Sequence, residues 1–312
     1  MTDRPRRAPR NRTLVLSDET CAELEKSLLV PSAKLTPAEA EDRLILGDVT
    51  RVAPLLPERF ADLLILDPPY DLDKDFNGRK FSKLGGDAYR EYLEAHLELL
   101  VPSLKPDASI YLCGDWRSSG ACFAALSRFF KVRNRIVWQR EKGRGAARNW
   151  KNCTEDIWFA TVSDEYCFDL DKVKQLRRVV APYREEGRPK DWNETAEGNF
   201  RLTCPSNFWD DLTVPFWSMP ENTDHPTQKP EKLLAKLILA SSRPGGLVLD
   251  PFMGSGTTAV VARKLGRRFC GIEIDREYCC FAAKRLARAA DEPEIQGYRD
   301  GVFLERNCRL PR

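Results

Sequence analysis

The chain has 312 residues, 42% of them apolar and 31% charged, with a formal net charge of +3. That is enough apolar material for a full core and too balanced a charge to mark the whole chain as a nucleic-acid binder; no apolar run reaches membrane-spanning length. The ten cysteines form no CxxC pair and only two histidines are present, His96 and His225, so the expectation is a cytoplasmic protein with reduced, mostly buried thiols and no metal.

In chain order, residues 1–37 read as an N-terminal arm: a basic stretch carrying Arg4, Arg6, Arg7, Arg10 and Arg12, then a short amphipathic element. No apolar core follows Met1 to Arg12, so a signal peptide is not expected. A mobile solvated tail and a DNA-contacting arm both fit the charges. Leu44 to Leu46 is predicted as a strand ending in the turn Gly47-Asp48, and Leu63 to Leu66 as a second, buried strand. A polar loop from Asp71 to Asp87 leads to a helix over Tyr89 to Leu100, with Tyr92, Leu93, His96, Leu97 and Leu100 near helical spacing. A strand at Ser109 to Cys113, a helix at Cys122 to Phe130 and strands at Arg135 to Gln139 and Asp156 to Val162 complete a first half, residues 38–169.

From Leu170 to Asp224 apolar periodicity weakens while charges and prolines rise, which marks residues 170–224 as an insertion. Its aromatics are expected to form a small satellite core. Regular order returns over residues 225–290: a helix from Pro230 to Ser242, a strand at Leu247 to Asp250, a glycine loop, a helix from Thr257 to Leu265, a strand at Phe269 to Glu273 and a helix from Glu277 to Ala290. Residues 291–312 read as a tail. Strands alternating with helices predict an α/β fold with a doubly wound, mostly parallel sheet.

Two strand ends carry the chemistry. Asp67-Pro68-Pro69-Tyr70 follows the apolar run Leu63 to Leu66. The two prolines fix their own φ and keep the preceding residues out of the helical region, so the turn is rigid before any ligand arrives. It offers a carboxylate, a proline carbonyl and an aromatic face, the parts needed to grip a flat ring bearing an exocyclic amine. The second strand ends at Asp250, and Pro251-Phe252-Met253-Gly254-Ser255-Gly256-Thr257-Thr258 opens the next helix. Gly254 and Gly256 allow a tight turn with backbone amides free at a helix N-terminus. Glu273 closes the following strand at the spacing of a ribose-binding acid. Gly254-x-Gly256-x-x-Ala259 also satisfies the dinucleotide fingerprint, so on these residues alone a nicotinamide enzyme, or a packing unit without ligand, competes.

Asp67-Pro68-Pro69-Tyr70 resembles motif IV of the DNA amino-methyltransferases, and Asp250 to Thr257 resembles motif I of the same S-adenosylmethionine-dependent enzymes. His225-Pro226-Thr227-Gln228-Lys229-Pro230 is similar to the segment they place near the cofactor carboxylate, although a plain polar helix start explains His225 and Lys229 equally well. Gly47-Asp48 is similar to the turn that contacts the cofactor's adenine. The order, catalytic turn first, insertion second and cofactor loop last, resembles the circularly permuted β class, and among its members the RsrI-type enzymes of restriction–modification systems. The resemblance spans Leu44 to Ala290 and implies a sheet of the S-adenosylmethionine-dependent methyltransferase type with a target-recognition insertion. It implies S-adenosylmethionine held by Asp48, His225, Lys229, Asp250, Phe252, Gly254, Ser255, Gly256, Thr257 and Glu273, with Asp67, Pro68, Pro69 and Tyr70 catalytic. It further implies duplex DNA as substrate, functional pairing with a restriction endonuclease without contact, and it allows a homodimer. Asp67 favours adenine N6 over cytosine N4, because the cytosine enzymes more often carry serine there; enzymes acting on protein glutamine typically carry asparagine.

Lys131 to Lys151 is the most basic stretch. Arg140, Lys142, Arg144 and Arg148, around the flexible Gly143 and Gly145, are the expected phosphate contacts beside a base-modifying site.

Overall fold

The computed structural model describes residues 8–140, 147–179, 183–196 and 198–306. Eight strands form the central sheet. In chain order they are β1 (Arg43–Leu46), β2 (Ala61–Leu66), β3 (Leu104–Gly114), β4 (Lys131–Gln139), β5 (Thr154–Thr161), β6 (Phe208–Trp209), β7 (Leu247–Asp250) and β8 (Arg268–Glu273). Their spatial order is β1-β8-β7-β2-β3-β5-β4-β6. Every neighbouring pair is parallel except those made by β5, which runs antiparallel to both β3 and β4.

The doubly wound form follows from residue alternation. In β2, Leu63 and Ile65 join the core on one face, while Leu64 and Leu66 join the core on the other. In β3, Tyr111 and Cys113 divide from Ile110 and Leu112 in the same way. Both sides of these strands are dry, so they read as continuous apolar runs. One face is covered by the helices Gly86–Leu100 and Ser119–Phe129, the other by Glu231–Ser241, Thr257–Lys264 and Arg276–Arg288.

Several elements depart from the sequence expectation. The polar loop after Tyr70 contains a hairpin, Lys74–Phe76 against Arg79–Phe81, turned by Asn77 and Gly78 at positive φ. The described part of the N-terminal arm is docked rather than mobile. Leu14 is buried and bridges to Thr223, and the helix Asp18–Glu25 packs on Arg276–Arg288. Cys21 and Cys280 are joined by a disulfide, so these two thiols are not reduced.

The insertion is more regular than its sequence pattern suggests. Gln175–Arg178, Asn193–Thr195 and Gly198–Thr203 form an antiparallel sheet, and the C-terminal strands Val302–Leu304 and Tyr298–Arg299 extend it. Trp192, Phe200 and Trp209 are buried, whereas Phe208, Phe216 and Trp217 are exposed. Among the described residues, no helix is long and apolar enough to cross a membrane.

Candidate active site

Five mutually parallel strands end on one edge of the sheet, and each delivers an acid there. Asp48 follows β1, Glu273 ends β8, Asp250 ends β7, Asp67 follows β2 and Asp115 follows β3. The central two are direct neighbours, with Val248 beside Leu63 and Leu249 beside Leu64. From β7 the chain winds one way, through Thr257–Lys264 to β8; from β2 it winds the other way, through Gly86–Leu100 to β3. That reversal is a topological switch point, where a doubly wound sheet opens a crevice. A cavity of about 1120 Å³ lies there, lined by all five acids, the Asp67–Tyr70 turn and the glycine loop. Single small-molecule pockets usually occupy about 300–1,000 Å³; this cavity stands at the top of that scale, and both strand-end motifs open into it.

The catalytic turn is held from outside itself. Tyr89 Oη donates to the Pro69 carbonyl at 3.0 Å, and the buried Asp71 carboxylate accepts from the amides of Leu84 and Gly85. Lys229 Nζ donates to both oxygens of Asp67 at 2.7 Å. It also lies 3.6 Å from Glu155, which accepts from Tyr70 Oη at 2.9 Å and forms an ion pair with Arg140 at 2.7 Å. Burial pushes the Asp67 carboxyl above its ordinary pKa against the pull of Lys229. Burial also opposes the Lys229 charge, yet Asp67 and Glu155 outweigh it and hold the ammonium firmly protonated.

On the cofactor side, Gly254 has φ +54° and its amide donates to Glu273 at 2.8 Å; the other Glu273 oxygen accepts from Asp275 N at 2.8 Å. Burial raises the Glu273 carboxyl, and it pushes Asp250 up to about 7 despite hydrogen bonds from Thr258 Oγ1 and Phe252 N. Ser255 and Thr257 are buried, and both are gripped from behind by Arg285, which bonds Ser255 O at 2.8 Å and Thr257 Oγ1 at 2.9 Å. Asp48 caps a short helix through Thr50 N at 2.8 Å. Phe252 packs on His96 and His96 on Tyr92, an aromatic wall near Asp48.

These residues suit S-adenosylmethionine. A Cβ at Gly254 would stand 2.8 Å from His225 Nε2, so the loop is made to be narrow. Each carboxylate oxygen of Glu273 has a second lone pair for a ribose hydroxyl, and the aromatic wall offers a face to a flat base.

Of the expected site residues, the structure brings all fourteen on the catalytic and cofactor sides to this strand edge, although Gly256, the N-cap of the helix Thr257–Lys264, is not itself a lining residue. Of the expected DNA contacts, Lys142 and Arg144 lie outside the described residues. Arg148 is exposed, whereas Arg140 is committed to Glu155. Sequence reasoning missed Glu155, Arg285, His96 and the pair Trp116-Arg117, which lines the cavity mouth with Trp116 53% exposed. Asp115 fixes that pair's turn by accepting from Arg117 N, Ser118 N and Ser118 Oγ.

A family model described as DNA methylase matches residues 61–284. The chain belongs to this family. It is 31% identical over 273 residues to the type II methyltransferase M.BglII of Bacillus subtilis, covering 82% of this chain and 72% of that protein. It is 33% identical over 251 residues to the DNA adenine methyltransferase YhdJ of Escherichia coli K12, covering 78% of this chain and 82% of YhdJ. Among solved structures, the M1.HpyAVI–SAM complex superposes with a TM-score of 0.51 at 24% identity, over 78% of this chain and 98% of that one. The fold of this DNA methylase is therefore that of the S-adenosylmethionine-dependent methyltransferases. The expectation of an α/β, mostly parallel sheet of that type is met.

Proposed function

We propose that this DNA methylase transfers a methyl group from S-adenosylmethionine to the exocyclic N6 of an adenine flipped out of duplex DNA, at a defined recognition sequence. One observation carries the reading: Asp67-Pro68-Pro69-Tyr70 and the Gly254 loop leave adjacent parallel strands and line a single cavity. Likeness to a DNA adenine methyltransferase supports adenine as the base, as does the carboxylate at position 67.

When bound, S-adenosylmethionine supplies an electrophilic methyl on a sulfonium. The protein's residues do the rest by positioning. Hydrogen bonds from the target amine to the Asp67 carboxylate and the Pro68 carbonyl draw the nitrogen toward tetrahedral geometry, which localises a lone pair otherwise delocalised into the ring. The same carboxylate supports the positive charge that develops on that nitrogen. Tyr70 stacks on the base. Extrusion of the base costs a few kcal/mol, which stacking on Tyr70 and the pocket hydrogen bonds offset. Trp116, exposed at the mouth, is placed to stack on DNA as the base enters. The reading includes service beside a restriction endonuclease without contact, and a homodimer is compatible with it.

The test is incubation with tritiated S-adenosylmethionine and duplex DNA, then digestion to nucleosides. Label is expected in N6-methyldeoxyadenosine with the wild type and nowhere with Asp67→Ala. Label in a cytosine nucleoside, or undiminished turnover by the variant, overturns the proposal.

A further inference from the structure

We infer that Lys229 serves the base pocket rather than the cofactor: with Glu155 it positions the Asp67 carboxylate and the Tyr70 ring for the incoming nucleobase. The inference rests on the methyl-transfer reading above and assigns two positioning residues to it. An ammonium has three donors. In this site Nζ spends them on both Asp67 oxygens, at 2.7 Å each, while facing Glu155 at 3.6 Å. The side chains of Lys229 and Glu155 are 9% and 8% exposed, so the contacts are enclosed.

The groups form one alternating chain: Asp67, Lys229, Glu155, Arg140. Two carboxylates and two cations cancel, which is the condition for keeping buried charge affordable. Glu155 takes the Tyr70 hydroxyl at 2.9 Å, and Lys229 Nζ lies 5.2 Å from the centre of the Tyr70 ring. Tyr70 is thereby locked at its far end, its ring plane set before a base arrives. An ionised Asp67 is an acceptor only, as a target amine requires; a protonated one would present a donor.

The titratable groups facing Asp67 are Lys229, Glu155, Tyr70, Tyr89, Cys113 and Asp250. Lys229 is the only cation among these. Lys229→Met removes the cation bonded to Asp67 and leaves it facing Glu155 with Arg140 alone to offset two carboxylates, which favours protonation of Asp67. Glu155→Gln removes the like charge and does the reverse.

The experiment uses the full chain with duplex DNA and compares Lys229→Met, Lys229→Arg and Glu155→Gln. It reads kcat from pH 5.5 to 9 at saturating cofactor, and S-adenosylhomocysteine affinity by calorimetry without DNA. Lys229→Met is expected to lower kcat at least 100-fold and to move the acid limb up by about one pH unit, with S-adenosylhomocysteine affinity within threefold of wild type. Lys229→Arg is expected to recover part of kcat, and Glu155→Gln to move the acid limb down. Should Lys229→Met fail to fold, the other two variants decide: Lys229→Arg keeps S-adenosylhomocysteine affinity within threefold of wild type while kcat falls, and Glu155→Gln moves the acid limb down. A tenfold or greater loss of S-adenosylhomocysteine affinity with an unmoved acid limb overturns the inference, as does a wild-type profile in Glu155→Gln. Failure of the parent reading shows separately, as absence of N6-methyladenine from the wild-type reaction.

Discussion

The His225 imidazole fills the space where a side chain at Gly254 would begin, 2.8 Å from the position of its Cβ. Gly254 also sits at φ +54°, in the left-handed region that costs other residues about 1–2 kcal/mol. Gly254→Ala therefore meets both strain and collision, and the collision moves His225 and the loop together. Calorimetry with S-adenosylhomocysteine is expected to show at least a tenfold loss of affinity. Gly266→Ala is the control: its φ is +69°, but nothing lies within 4 Å of the added carbon. It should lose stability from the backbone alone and keep its affinity.

Tyr70 contributes a ring and a hydroxyl, and the two can be separated. Tyr70→Phe removes the bond to Glu155 and should lower kcat by about tenfold or more, since one hydrogen bond to a charged group is worth about 1.5–3 kcal/mol. Tyr70→Ala also removes stacking, worth about 1–3 kcal/mol per base. Its defect should shrink on DNA whose target adenine is mispaired, because part of the extrusion cost is then already met. Equal defects on paired and mispaired targets would refute the stacking role.

The contrast between Glu155 and Asp67 shows what the sequence could reveal. Asp67 was legible because a buried apolar run stops at two prolines, a local pattern. Glu155 reaches the same edge only because β5 runs antiparallel to its neighbours, and strand direction leaves no mark on residue alternation. Had β5 been parallel, Glu155 would lie at the opposite end of the sheet. The Lys74–Phe81 hairpin was hidden by its polarity, although Asn77-Gly78 is itself a hairpin-turn signal. The pairing of Phe303 with Gln175, and of Cys21 with Cys280, depends on contacts far apart in the chain that no local pattern encodes.

Arg148 and Arg140 belong to the same basic stretch but should behave differently on DNA. Arg148 is exposed, free to meet a phosphate. Its neutralisation is expected to weaken binding alike on specific and nonspecific duplexes, and to reduce the salt slope by about one. Arg140 is paired with Glu155 at the pocket, so Arg140→Ala should lower kcat more than it changes that slope. Fluorescence anisotropy across a salt series separates the two; an unchanged slope in the Arg148 variant would remove it from the interface.

Acid stability gives a test that needs neither DNA nor turnover. Burial, then Lys229, Arg285 and Lys74, depress the His225 pKa from 6.5 to about 3. The unfolded chain therefore binds the extra proton between those values, and the stability contributed by a neutral His225 is present above pH 6.5 and lost as pH falls toward 3. At pH 5 the loss is about 2 kcal/mol. Asp250 has the opposite slope: raised by burial to about 7, its contribution is present below about 4 and lost as pH rises through 7. The two overlap, so a single melting profile shows only their sum. Subtracting the profile of His225→Gln from the wild type leaves the histidine alone. The difference in Tm between wild type and variant should stay constant above pH 7 and move steadily against the wild type from pH 6.5 to 5; a difference that stays level over that range would show that His225 is not held neutral by the fold.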